Sequence, residues 1–123
     1  MMGEGSDQIL IVDDEPDMCW ALEKLFNSRG FVTQKALSAQ EALELMAQHH
    51  FGRAFLDAKL PDMDGLELAR CLLELAPEIR IIMVSGYFYR DDLTIQVAIS
   101  QGLIRGFISK PFLQDEILKL LEA

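Results

Sequence analysis

Five short apolar runs alternate with five stretches of helical patterning along the chain, and few architectures can absorb that rhythm. The first run, Gln8-Ile-Leu-Ile-Val12, is continuously aliphatic and ends in acids, as a strand covered on both faces should read. A helix is predicted over 15–29, with Pro16 near its start, Met18, Ala21, Leu22, Leu25 and Phe26 inward, and Gly30 at its stop. A weaker strand follows over 31–36. Ser38-Ala-Gln-Glu41 has the capping-box pattern and opens a helix ending near His49, with Ala42, Leu43, Leu45 and Met46 inward. Strands over 53–57, 80–85 and 105–109 then alternate with helices over 65–75, 92–101 and 113–122. Asp64 is placed to cap the first of these helices, and Gly102 to end the second.

Strand–helix alternation with short connections predicts a parallel sheet covered on both faces by helices. Right-handed crossovers leave the flavodoxin-like, doubly wound α/β fold, a five-stranded (βα)5 sheet, as the leading topology. No repeat, low-complexity stretch or linker interrupts the pattern, so residues 1–123 are expected to form one domain. A domain of this size buries enough surface to need no metal or disulfide staple. Cys19 and Cys71 lie far apart without Cys-x-x-Cys spacing and are expected to be plain buried or half-buried thiols. No apolar run approaches bilayer length, and residues 1–8 carry no basic, apolar secretory signal, so the cytoplasm is the expected location. Twenty acids against 11 bases give a net charge of −9, which would repel nucleic acid phosphates and anionic lipid. Direct contact with nucleic acid or membrane is not expected.

In an open parallel sheet, ligands bind at the carboxyl ends of the strands, near the point where strand order reverses. Those ends here are Asp13-Asp14, Asp57, Ser85-Gly86 and Lys110-Pro111. Close carboxylates repel by about 4 kcal/mol per pair at roughly 4 Å and an effective dielectric of about 20. Protonation or a cation must offset that. A hard divalent ion suits an all-oxygen cluster, and magnesium in particular binds through one or two carboxylates plus a phosphate. Lys110 offers a point charge, and Ser85 a hydroxyl donor, to phosphoryl oxygens. Strand-end acids could instead simply cap the following helices; that accounts for one or two acids but not for the lysine.

Four segments, Ile9-Leu-Ile-Val-Asp-Asp-Glu-Pro16, Leu56-Asp-Ala-Lys-Leu-Pro-Asp-Met-Asp-Gly65, Val84-Ser-Gly86 and Ser109-Lys-Pro-Phe112, resemble the motifs of response-regulator receiver domains. The resemblance spans essentially the whole chain, with the motifs in the right order on the right elements. It implies that Asp57 is the nucleophile, taking a phosphoryl group from a histidine kinase or histidine phosphotransfer protein. It implies that Asp14, Asp57 and the backbone carbonyl of Lys59 hold Mg2+ directly, with Asp13 acting through a metal-bound water. Ser85 and Lys110 take phosphoryl oxygens, assisted by the backbone amides of Ala58 and Gly86. Such positioning and charge neutralisation is what phosphoryl transfer asks of a protein. The resemblance also implies a cis Lys110–Pro111 bond and places Phe107 at the family's aromatic switch, although Phe107 reads equally well as core. Lys59 and Tyr87 fall where receivers tune the lifetime of the phosphorylated state. With a lysine and a tyrosine there, neither suited to orient an attacking water, slow dephosphorylation is expected. On this reading the chain is no enzyme beyond catalysing its own phosphorylation and dephosphorylation.

The sequence departs from the family in a lengthened segment between Ser85 and Lys110, which includes Tyr87-Phe-Tyr-Arg-Asp-Asp92. Its aromatics either fold back over the strand ends or form a partner-binding patch. The fourth helix is the family's output face, for a downstream effector or a homodimer. Cys19 and Trp20 fall at outward positions of the first helix, where kinases dock on receivers. His49 and His50 are expected to favour the second helix's dipole rather than a metal. Two other classes compete: a docking module no longer phosphorylated, and a phosphohydrolase or flavin protein on the same fold. Adjacent Asp13 and Asp14 do not match the Asp-x-Asp of aspartate phosphohydrolases, and acids after the first strand would repel a flavin phosphate.

Overall fold

The computed structural model describes residues 8–86 and 92–122. In chain order the elements are β1 (Gln8–Val12), α1 (Pro16–Asn27), β2 (Val32–Ala36), α2 (Ala39–Gln48), β3 (Arg53–Leu56), α3 (Gly65–Leu75), β4 (Arg80–Ser85), α4 (Leu93–Ser100), β5 (Gly106–Ser109) and α5 (Gln114–Glu122). The five strands form one parallel sheet in the order β2-β1-β3-β4-β5. Strand order therefore reverses between β1 and β3, and the doubly wound expectation holds.

Alternation along the strands divides the interior into two cores. Leu10, Val12, Ala54, Leu56, Ile81 and Met83 face α2, α3 and α4, and Phe107 is buried in that layer. Ile9, Ile11, Phe55, Ile82, Val84 and Ile108 face α1 and α5, with Phe26 stacked at a tilt on Phe55, ring centroids 4.7 Å apart. Gly106 matters for the second layer: a Cβ there would come within 3.0 Å of Leu120 on α5.

Helix α1 corrects part of the expected pattern. Cys19, placed outward by the sequence, is buried with Leu22 and Phe26, whereas Ala21, placed inward, is exposed. The stripe is rotated because a thiol behaves as a small apolar group and fills the space beneath β1. Burial pushes the Cys19 thiol up to about 11, helped by the nearby Asp13 charge, so it is an inert packing group. Cys71 is half-buried and also free, so both thiols are the plain kind expected. Trp20 does face solvent, at 58 % exposure, with the Lys24 ammonium 5.0 Å from its ring. Gly30 and Gly102 end their helices with φ of +89° and +76°, a conformation that glycine adopts without strain. No helix among the described residues is long and apolar enough to cross a membrane.

Candidate functional site

The reversal between β1 and β3 brings the expected acids together. The Asp57 N–H donates to the Val12 carbonyl (2.9 Å) and the Asp13 N–H to the Ala36 carbonyl (3.1 Å), so both residues extend the sheet past its last formal rung. Oxygens of Asp13, Asp14 and Asp57 all lie within 4.8 Å of one another; Asp13 is buried, Asp57 half-buried and Asp14 exposed. A pocket of carboxylate oxygens graded from buried to open is the donor chemistry of a hard divalent cation with solvent access.

Lys110 enters from the far side of the sheet. Its backbone N–H donates to the Ser85 carbonyl (3.0 Å), and its peptide bond to Pro111 is cis, as the resemblance implied. Its ammonium donates to Asp13 Oδ2 at 2.7 Å, lies 3.4 Å from Asp57 Oδ2, and lies 3.5 Å from Glu15 Oε1. Burial alone would lower the Lys110 pKa, but the Asp13 hydrogen bond and the charges of Asp13, Asp57 and Glu15 outweigh it and raise it. The partner moves the same way for the opposite reason. Burial raises the Asp13 carboxyl above the ordinary range, and Lys110 and the Glu15 N–H, which also bonds to Asp13, offset this only partly. One ammonium thus balances part of a three-carboxylate cluster, leaving net negative charge for a cation to neutralise.

The connection after Asp57 is fixed at several points. Lys59 and Asp64 form an antiparallel bridge, the Leu60 N–H donates to the Met63 carbonyl (3.3 Å), and the Gly65 N–H donates to the Ala58 carbonyl (2.8 Å). Asp64 caps α3 by accepting from the Leu66 N–H at 2.8 Å, as expected. Gly65 sits against the end of β3: a Cβ there would overlap the Asp57 carbonyl oxygen and lie 2.8 Å from Ala58 Cα. Ser38 accepts from the Glu41 N–H at 3.2 Å, while the Glu41 carboxylate bonds the Leu37 N–H, one residue before the cap.

Every described site residue lies at this edge except Phe107, which is buried in the core within β5. Ser85 is buried at the end of β4, and Lys59 is exposed with its N–H 3.4 Å from Asp57 Oδ1. Tyr87, with the rest of 87–91, lies outside the described residues. Sequence reasoning missed two acids that the fold brings in: Glu15 beside Lys110, and Asp62, which bonds the start of α2. Glu15 had a signal in its place beside Asp13-Asp14; Asp62 had none, since its partners lie 23 and 22 positions away.

The model of the response regulator receiver domain matches residues 9–122. The chain belongs to that family. Among curated relatives, this receiver is 33% identical over 112 residues to the sporulation initiation phosphotransferase F of Bacillus subtilis, covering 91% of this chain and 88% of that protein. It is 32% identical over 111 residues to the C4-dicarboxylate transport transcriptional regulatory protein DctD of Rhizobium meliloti. That match covers 90% of this chain but only 24% of the relative's length. Among solved structures, the receiver domain protein of Methanospirillum hungatei superposes with a TM-score of 0.85 at 30% identity, covering 95% of this chain and 91% of the other. TrrA of Thermotoga maritima, solved in complex with Mg2+ and a beryllium fluoride, superposes at 0.79 with 28% identity, covering 94% and 96%. The receiver is thus a phosphoacceptor signalling module of the kind that works with histidine kinases.

Proposed function

We propose that this receiver takes a phosphoryl group onto Asp57 from a phosphohistidine of a histidine kinase or histidine phosphotransfer protein, in a magnesium-dependent reaction. The observation that carries this is the meeting of the Asp13, Asp14 and Asp57 carboxylates with the Lys110 ammonium at the strand-order reversal. The donor set fits the metal: Asp14, Asp57 and the Lys59 carbonyl would hold it directly and Asp13 through water. TrrA, similar over its whole length, was solved with Mg2+. When bound, the ion supplies charge neutralisation for the incoming phosphoryl group.

An Asp57 oxygen attacks phosphorus; the new O–P bond forms as the P–N bond to the donor imidazole breaks, and the electron pair leaves with the nitrogen. Lys110 can transfer its hydrogen bond from Asp13 to a phosphoryl oxygen, and the Ser85 hydroxyl and the Ala58 and Gly86 amides complete the cradle. Phe107 then serves as the switch that follows Ser85, with exposed Leu93, Val97 and Ile99 on α4 supporting an output surface for an effector or a second copy. Lys59, together with Tyr87, sets a slow dephosphorylation. The family match over 9–122 supports residues 1–123 as one receiver unit. The net charge of −9 argues against direct contact with nucleic acid or membrane, and we take the receiver to act in the cytoplasm with no enzymatic role beyond its own phosphorylation cycle. The test is mass spectrometry after incubation with acetyl phosphate or phosphoramidate. One phosphoryl group should be gained with Mg2+ present and none after chelation or in Asp57→Ala; labelling that survives Asp57→Ala would refute the assignment.

A further inference from the structure

The α2 amino terminus is tied to the loop after Asp57 by Asp62, a residue to which the resemblance gave no role. Asp62 Oδ1 accepts from the Ala39 N–H at 2.9 Å and Oδ2 from the Gln40 N–H at 3.0 Å. Those are the first two amides of α2, and Ser38 Oγ takes the third, that of Glu41. Helix amino termini leave such amides without intrahelical partners, and a carboxylate there also meets the favourable end of the helix dipole. The two bonds hold the Asp62 carboxyl below its ordinary value, so the clamp persists at any physiological pH.

Asp62 sits at the tip of the small hairpin closed by the Lys59–Asp64 bridge and the Leu60-to-Met63 hydrogen bond. The base of that hairpin is held by the Gly65 N–H on the Ala58 carbonyl. Leu60 and Met63 pack the arms of the hairpin against the core, and the two Asp62 bonds add a direct tie from its tip to α2, with Lys59 the first residue of the hairpin so held. A peptide carbonyl that ligates a metal must be aimed by its own backbone, since it has no rotamer of its own to adjust.

We propose that Asp62 is a positioning residue for the metal site: by clamping the hairpin tip to α2 it fixes the Lys59 carbonyl in the direction that magnesium requires. This rests on the magnesium reading above and adds to it a residue that touches neither metal nor phosphoryl group. It also makes α2 part of the site's mechanical frame through the Ala39 and Gln40 amides.

The experiment is a magnesium titration by calorimetry on the unsubstituted protein, Asp62→Ala and Ser38→Ala. Ser38→Ala weakens the same helix terminus without touching the hairpin. Asp62→Ala should bind Mg2+ roughly tenfold more weakly, at the low end of what outer-shell groups carry, and Ser38→Ala less than about twofold by the same reasoning. Asp62→Asn keeps one acceptor for two amides and should fall between; it serves also if Asp62→Ala is too unstable to titrate. Equal affinities in all variants, or equal losses in Asp62→Ala and Ser38→Ala, would overturn the positioning role while leaving the metal site intact. Absence of saturable binding in the unsubstituted protein would overturn the magnesium reading and this inference with it.

Discussion

The loops after β1 and β3 are both acid-rich, yet they use their acids differently. Of the loop after β3, Asp62 bonds the first amides of α2 and Asp64 caps α3. At α1, by contrast, the N-cap position is Glu15, which makes no side-chain capping bond. Asp13 gives one oxygen to the Glu15 N–H and the other to Lys110, and Asp14 stands exposed beside Asp57. Capping is the right account of Asp62 and Asp64 in the second loop and the wrong one for the acids of the first. An acid that leaves a helix end uncapped, where capping contributes about 1 kcal/mol, is held for something else.

The sharpest way to break that contrast is to disturb the loop that is built tightly. In Gly65→Ala the new methyl meets the Asp57 carbonyl and Ala58 Cα, both backbone, so α3 or the end of β3 must move. Overpacking of this kind costs about 3 kcal/mol at the upper end of its usual range. Thermal unfolding should show a fall of at least about 10 °C for a domain of this size. A fall within 2–3 °C, on the order expected of a surface change, would mean that the loop is looser than its hydrogen bonds suggest.

A smaller effect separates the two kinds of acid directly. Asp64→Ala should lower stability by about 1 kcal/mol with little loss of magnesium affinity. Asp14→Ala should do the reverse, leaving metal-free stability level while weakening Mg2+ binding beyond the roughly tenfold to hundredfold typical of outer-shell groups. Asp13→Ala, if Asp13 acts through water, should weaken it less than Asp14→Ala does. Titration and denaturation of the same three variants give both readouts, and a shared pattern for Asp14 and Asp64 would erase the contrast.

Most of the fold could be read from the chain because most strands announce themselves with aliphatic residues and the first four helices with a cap or a stop. Ser38, Asp64 and Gly30 did what their types suggested. The acids, Ser85 and Lys110 could be placed at one edge from the topology alone, since parallel strands all end there. What could not be read was set by tertiary contacts. Cys19 is a polar letter that packs as an apolar one, and Ala21 an apolar letter on a wet face. Asp62 is sequence-local to α3 but spends its carboxylate on α2, and the Ser38–Glu41 pattern looked complete without it. Glu15 reads as a helix starter, yet its carboxylate joins Lys110.

The smallest expected effect concerns Asp57 itself. Its nearer oxygen is 3.4 Å from the Lys110 ammonium, while Asp13 holds that ammonium at 2.7 Å, so Lys110 belongs structurally to Asp13. Asp57 in turn pushes the Asp13 carboxyl upward, a minor influence beside burial. Removing the Asp57 charge in Asp57→Asn loses a long ion-pair contact and relieves a repulsion, and the two nearly cancel. Metal-free stability should stay within about 0.5 kcal/mol of the parent or rise slightly. The pH dependence carries the finer signature. Because Asp13's folded-state pKa lies above its ordinary 3.8, its stabilising contribution is fully present below that value and is lost as pH rises through the raised one. Asp57→Asn removes one cause of the rise, so the acid-side gain in stability should shrink and its midpoint should move down in pH. Denaturant titrations of metal-free protein between about pH 4 and 7, around that linkage window, measure both. A clear loss of stability at neutral pH would make Asp57 a structural partner of Lys110 rather than a carboxylate left free for its chemistry.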